Sequence, residues 1–182
     1  VKANATAQVG DKLYLTKPLG VGIVTTAQKR GVAQDDHIQA VQQQMGTLNE
    51  VGFTLGQLEG VQAMTDVTGF GLGGHLLEMC EGSDVCAAID SAKVPRLERT
   101  DHYIAEDCAP GGTDRNFESY GQKVGPLTEA QRVLLCDPQT SGGLLVAVAP
   151  DGLTAFEEVS AELGLESFGQ ITEATEPLIT VI

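Results

Sequence analysis

Residues 61–82 read VQAMTDVTGFGLGGHLLEMCEG. A short strand leads into the loop Thr65-Asp66-Val67-Thr68-Gly69-Phe70-Gly71, and the loop leads into a helix. Leu72, Leu76, Leu77 and Cys80 recur at helical spacing and give that helix its apolar face, and Gly82 is expected to stop it. Asp66, at the end of a strand, is a hard oxygen donor of the kind Mg²⁺ takes. Gly69 and Gly71 would let backbone N–H groups approach an anion at the helix N-terminus. The candidate set here is therefore Asp66 for a metal, and Thr68, Gly69 and Gly71 for a nucleotide phosphate. The plainer alternative is that Asp66 or Thr68 caps the helix and the glycines only make the turn. Gly69-x-Gly71-x-x-Gly74, with Asp90 about 20 residues on, also matches a dinucleotide fingerprint. The residues before Gly69, AMTDVT, are not an apolar strand ending at the first glycine, and the chain lacks repeated βαβ units, so this reading is set aside.

Working outward, KLYLT (12–16) and VCAAID (85–90) read as strands, LLVAVAP (144–150) as the most apolar strand, and SFGQITEA and PLITVI as closing strands. GVGIVTTAQKRG (20–31) reads as a helix with Gly31 just past its end. Asp35 and Asp36 open a second helix, with Ile38, Val41 and Met45 on one stripe; it is expected to run past Gly46 towards Leu58. Pro95 is expected to begin a helix of about a dozen residues. Residues 109–127 show no periodicity and read as a long loop of the sort that is often functional. A short helix follows at 128–135, and Leu153, Phe156, Val159 and Leu163 stripe the last helix. Strands alternate with one or two helices without a regular βαβ rhythm. The expected fold is α+β in layers, α/β/α, a mixed sheet flanked by helices.

The chain has 182 residues, 42% of them hydrophobic, and carries 11 Lys+Arg against 25 Asp+Glu, a net charge of −14. A field of that sign repels nucleic acid and anionic lipid, so neither is expected as a partner. It does not exclude ATP, because carboxylates reach phosphates through Mg²⁺. No apolar run approaches the ~18 residues of a spanning helix. Cys80, Cys86, Cys108 and Cys136 lack CxxC spacing, which argues against zinc and for reduced thiols in a cytoplasmic protein. Residues 1–10, starting at Val1 rather than Met, read as a cut end or linker before one domain over 11–182.

Two further loops join the candidate set. Pro110-Gly111-Gly112-Thr113-Asp114-Arg115-Asn116 could make an anion nest, with Thr113 and Arg115 as phosphate contacts; alternatively it is a turn with Arg115 paired to a carboxylate. Asp137-Pro138-Gln139-Thr140-Ser141-Gly142-Gly143 precedes a strand and also reads as a plain turn. Three Gly/Thr/Asp loops exceed what turns require, and loops 65–71 and 137–143 are expected to meet at one end of the sheet. His75 reads as a surface or packing residue, His37 and His102 as exposed, and Cys136 as a small buried hydrophobe.

LTKPLGVGI (15–23), TDVTGFGLGGHLLEM (65–79), PGGTDRNFESYG (110–121) and DPQTSGGLLVAV (137–148) together resemble the selenophosphate synthetase (selenide, water dikinase) family, in that family's order, over residues 10–150. TDVTGFG alone is similar to the wider superfamily with aminoimidazole ribonucleotide synthetase, thiamine monophosphate kinase and hydrogenase maturation proteins. The likeness covers the family's carboxy-terminal half. It implies ATP, selenide and water as substrates, with selenophosphate, AMP and orthophosphate as products. It implies that Asp66 completes a Mg²⁺ site otherwise built by the amino-terminal half, which is the expected partner, and that this half alone is inactive. It further implies a homodimer formed mainly through amino-terminal domains, so that this half alone would be monomeric. Val21 stands where the family often has Thr. The alternatives are another ATP-using enzyme of the superfamily, a small-molecule kinase or amide-activating synthetase, and a non-catalytic binding module.

Overall fold

The computed structural model describes residues 3–182; Val1 and Lys2, the first residues of the expected cut end, lie outside that range. Six strands, β1 (Lys12–Leu15), β2 (Val61–Asp66), β3 (Cys86–Ile89), β4 (Leu144–Val148), β5 (Gly169–Thr172) and β6 (Ile179–Val181), form one sheet in the order β2-β4-β1-β5-β3-β6. Neighbours are antiparallel except β3 and β6, which are parallel. Eight α-helices surround it among the described residues: α1 (Val21–Lys29), α2 (Asp35–Gly46), α3 (Val51–Leu55), α4 (Gly71–Ser83), α5 (Thr100–Ala105), α6 (Gly111–Tyr120), α7 (Glu129–Leu135) and α8 (Leu153–Val159). The mixed, layered α+β architecture is the one the sequence pattern implies.

β4 explains the layering. All five of its residues are buried. Leu145 and Ala147 join Leu72 and Leu76 of α4 in one core, whereas Leu144, Val146 and Val148 join Leu55 and Phe156 in another. Alternation along a strand sends successive side chains to opposite faces, so helices must cover both, and each buried Leu or Val contributes about 1.5–3 kcal/mol. A third cluster joins α1, α2 and α5 through Val24, Val41 and Tyr103.

Several elements differ from the expectation. The second helix stops at Gly46 and does not reach Leu58. Thr47 is drawn out of it: its carbonyl accepts from Lys17 Nζ at 2.6 Å, and the Asn49 amide donates to Gly142 O at 2.9 Å. Gly82 does not end α4, which runs to Ser83 and a left-handed Asp84. Glycine fits at 82 because Ala5 lies against it. Residues 3–7 flank β2 here: Met64 N–H donates to Ala3 O, and Ala7 N–H to Ser83 Oγ. Pro95 begins no helix, since residues 95–97 are extended and exchange two 2.8 Å backbone bonds with Leu19. Residues 109–127 are not structureless: they contain α6, which buries Thr113, Asn116 and Tyr120. The last helix ends at Val159, and Val159 and Leu163 are exposed, leaving Phe156 as its buried anchor. His37 is buried, not exposed, with Nδ1 2.7 Å from Tyr103 OH.

Candidate functional site

β2 and β1 both end where β4 begins. Asp66 sits opposite Leu144, and Leu15 opposite Leu145. Beyond that point Val67 N–H donates to Gly143 O at 2.9 Å and Gln139 N–H donates to Thr68 O at 3.1 Å. Loops 65–71 and 137–143 thus meet at one end of the sheet, as expected. The contact is close enough to demand glycine: a Cβ on Gly142 would stand 2.1 Å from Val67 O. The third candidate segment, expected as a loop, is the start of helix α6 from Gly111 on, and it joins them. Gly112 abuts Pro138, and the Asn116 amide donates to Gly69 O at 2.8 Å and to Cys136 O at 3.0 Å.

The candidate residues fall into distinct environments. Asp66, Thr68 and Gly69 are exposed, while Val67 between them is fully buried. The chain therefore alternates out, in, out, and Asp66 and Thr68 share the solvent side. Neither caps the following helix, because α4 begins at Gly71 with no side-chain cap. Thr68 Oγ1 turns to His75 Nε2 at 3.0 Å, and His75 Nδ1 lies 3.1 Å from Glu78 Oε2. Among the described residues no ion pair engages Asp66. Gly71 has φ 72° and packs on Leu135 O, whereas Gly69 has open space where a side chain would be. Gly71 is glycine for the backbone; nothing in the fold asks it of Gly69.

Thr113 is completely buried, and its Oγ1 has no hydrogen-bond partner among the described residues. Arg115 is exposed, with its guanidinium folded over Gly111 and Gly112 at the start of α6. Its neighbour Asp114 is taken by Arg132 at 2.8 Å. Arg115 has no ion pair among the described residues, and a guanidinium beside backbone N–H groups at a helix start is suited to an anion.

Two residues of this site escaped the sequence reading. Asp137 is buried at the N-terminus of α1, where Oδ2 accepts from Gly22 N–H at 3.1 Å and from Gln139 Nε2 at 2.8 Å. Burial pushes its carboxyl up to about 7, against the pull of those donors. Lys17 is nearly buried just past β1 and donates from Nζ to Thr47 O and to Ser141 O at 2.9 Å. Burial lowers its pKa, and the negative charge of Asp66 counters that. Lys17 stood just after a strand, inside the stretch LTKPLGVGI, and Asp137 inside a candidate loop that also read as a plain turn; neither was singled out.

The dinucleotide reading fails on topology. Among the described strands β2 pairs only with β4, antiparallel, and β3 lies at the far side of the sheet. No group of three or more His, Cys, Asp or Glu gathers among the described residues. One uncommitted, exposed carboxylate fits a share of a Mg²⁺ shell, which is usually completed by waters and phosphate oxygens. A cavity of about 810 Å³ lies apart from both loops and the start of α6, between residues 92–96 and 163–166. Arg96 in its wall is already paired with Asp101. No helix among the described residues is long and apolar enough to cross a membrane.

Comparison with known proteins gives a consistent picture. Residues 8–181 match the model of "AIR synthase related protein, C-terminal domain". Selenide, water dikinase of Colwellia psychrerythraea is 56% identical over 184 aligned residues, covering 100% of this chain and 54% of the relative. That of Pseudomonas aeruginosa is 52% identical, again over 100% and 54%. The chain thus spans about half the length of the curated relatives it matches. Among solved structures, the hydrogenase maturation protein HypE superposes with a TM-score of 0.66 at 18% identity, over 96% of this chain and 48% of that one. Thiamine-monophosphate kinase from Stenotrophomonas maltophilia gives 0.65 at 18%, over 99% and 52%. These structural likenesses speak for the fold.

Proposed function

Because the chain belongs to the family of AIR synthase related proteins as their C-terminal domain, we propose that it is the carboxy-terminal half of an ATP-dependent selenide, water dikinase. Its substrates are then ATP, selenide and water, its products selenophosphate, AMP and orthophosphate, and its partner the amino-terminal half, in a homodimeric, cytoplasmic enzyme. The observation that carries the reading is Asp66. Among the described residues it is a carboxylate with no ion pair and no capping role, held where two loops and the start of α6 converge. In a chain of charge −14, such a group at a phosphate site needs a cation between it and the nucleotide.

In this reading Asp66 is one ligand of a Mg²⁺ ion whose other ligands come from ATP, water and the amino-terminal half. The ion supplies neutralisation of charge on the phosphate oxygens. The chain's own groups position and bind. Gly69 offers a bare backbone for close approach, and Arg115 a fork of donors for a phosphate oxygen. Gly71, Thr113 and Asp137 hold the loops in place. With one carboxylate and one exposed arginine, this half alone is expected to turn over no ATP.

The experiment is a mixing assay. The 182-residue chain, its amino-terminal half and the two together are each incubated with ATP, Mg²⁺ and selenide, and AMP is measured. Activity only in the mixture or the joined protein supports the reading. Selenide-dependent AMP from this chain alone would refute the division of labour. Turnover in the joined protein that ignores selenide but accepts a small alcohol would favour a small-molecule kinase.

A further inference from the structure

We infer that His75, held by Glu78, positions Thr68 so that its hydroxyl oxygen faces the ligand as an acceptor. Thr68 then serves the metal side of the site with Asp66, and does not donate to a phosphate. This rests on the reading of Asp66 given above and reassigns Thr68 within it.

The Glu78 side chain is half exposed, and an ionised carboxylate only accepts. Its Oε2 lies 3.1 Å from His75 Nδ1, so Nδ1 carries the proton. In a neutral imidazole the other nitrogen is then an acceptor. Nε2 lies 3.0 Å from Thr68 Oγ1, so the Thr68 hydroxyl donates inward to it. A hydroxyl has one proton; with that proton committed, Oγ1 shows only lone pairs outward. Lone pairs suit a hard cation or the hydrogens of a metal-bound water, and they repel a phosphate oxygen.

Three further features support the relay. The His75 ring is buried, so water competes little for its nitrogens. The Phe70 ring meets it edge-on at 6.0 Å between centroids. Thr68 stands two residues after Asp66 on the same exposed side of the chain, with Val67 buried between. Hydrogen-bond partners behind metal ligands orient them, and loss of such a partner typically costs about 10–100-fold in metal affinity. His75 does not itself touch substrate or metal; it is a positioning residue.

Two measurements test the inference. The first is the nitrogen spectrum of the histidine rings in the 182-residue chain at about pH 8, where an ordinary imidazole is neutral. The His75 signals, assigned by their loss in His75→Gln, are expected to show a protonated Nδ1 and a bare Nε2. A protonated Nε2 would mean that the ring donates to Thr68, and would overturn the inference. The second is binding of Mn²⁺, the probe ion, to the joined two-half protein with ATP present, followed by electron paramagnetic resonance. His75→Leu is expected to weaken Mn²⁺ by ~10-fold and to leave ATP affinity at saturating Mn²⁺ unchanged. His75→Gln, which keeps an acceptor and a donor, should restore most of the loss. Thr68→Val should match His75→Leu, and the double variant should be no worse than either; Thr68→Val decides the matter if His75→Leu does not fold. If Asp66→Asn weakens Mn²⁺ while Thr68→Val and His75→Leu do not, the Asp66 reading stands and this inference falls. If none of the three weakens it, both fall.

Discussion

Asp137 accepts a hydrogen bond at 3.1 Å from the backbone N–H of Gly22, a residue 115 positions earlier in the chain. That contact places a carboxyl at the N-terminus of α1, which has no side-chain cap of its own. The motif Asp137-Pro138-Gln139 is thereby a brace: Gln139 Oε1 also accepts from Val21 N–H at 3.4 Å, and its amide donates to Asp137 Oδ2. Segments 16–22, 65–71 and 137–143 are locked together by it, and the exposed Asp66 inherits a fixed position.

The brace has a pH signature. The Asp137 carboxyl is raised from 3.8 to about 7 in the folded protein. A folded state that holds its proton more tightly than the unfolded chain loses stability as pH rises between those two values, and loses no more above the upper one. Asp137→Asn has no proton to lose, and its amide oxygen can keep both donors. It is expected to match the native protein near pH 4 and to exceed it above about pH 7 by up to ~4 kcal/mol. Urea melts of both proteins across that range check it; an advantage that grows towards low pH would contradict it.

Gly142 and Gly69 should separate fold from function. Gly142→Ala drives a methyl group against Val67 O and is expected to cost ~3 kcal/mol, the upper range for overpacking. Gly69→Ala meets nothing within 4 Å and should change stability by less than about 0.5 kcal/mol. If ATP approaches the bare backbone there, the same variant should raise KM for ATP at least ~10-fold, about 1.4 kcal/mol. Unchanged KM would remove Gly69 from the phosphate contacts.

Asn116→Ala removes the amide that ties Gly69 O to Cys136 O. Leaving two carbonyls without their donor should cost about 2 kcal/mol, or about 4–8 °C in melting temperature for a chain of this size. Amide hydrogen exchange should rise in residues 65–71 before it rises in β4. Uniform loosening of the whole domain would show that Asn116 is no local staple.

How far the sequence could be read depended on whether burial was apolar and whether partners were local. β4 and α4 announced themselves, because LLVAV is uniformly apolar and Leu72, Leu76 and Cys80 keep helical spacing. α6 did not, although Thr113, Asn116 and Tyr120 stand at i, i+3 and i+7, because two of these buried residues are polar and are not scored as a core face. The truncation of α2 at Gly46 depends on Lys17 and Asn49 reaching other segments, which no local pattern displays. The convergence of loops 65–71 and 137–143 was legible because each is a Gly/Thr/Asp cluster abutting a strand. The brace by Asp137 was not, since its acceptor and donor are far apart in the chain. Thr68 and His75 are seven residues apart, and Glu78 lies three further on, so that relay was visible in spacing once α4 was placed.

The claim at the centre is that Asp66 serves a metal–nucleotide site and not the fold. The most direct measurement is phosphorus NMR of ATP turnover with selenide by the joined two-half protein, native and Asp66→Asn, with a thermal melt of each. The account predicts ATP conversion to AMP, orthophosphate and selenophosphate by the native protein. It predicts a loss of at least ~10²-fold in the variant, about 2.7 kcal/mol of transition-state stabilisation, with the melting temperature nearly unchanged. A variant that melts much lower, yet turns over selenide and ATP normally once folded, would contradict it.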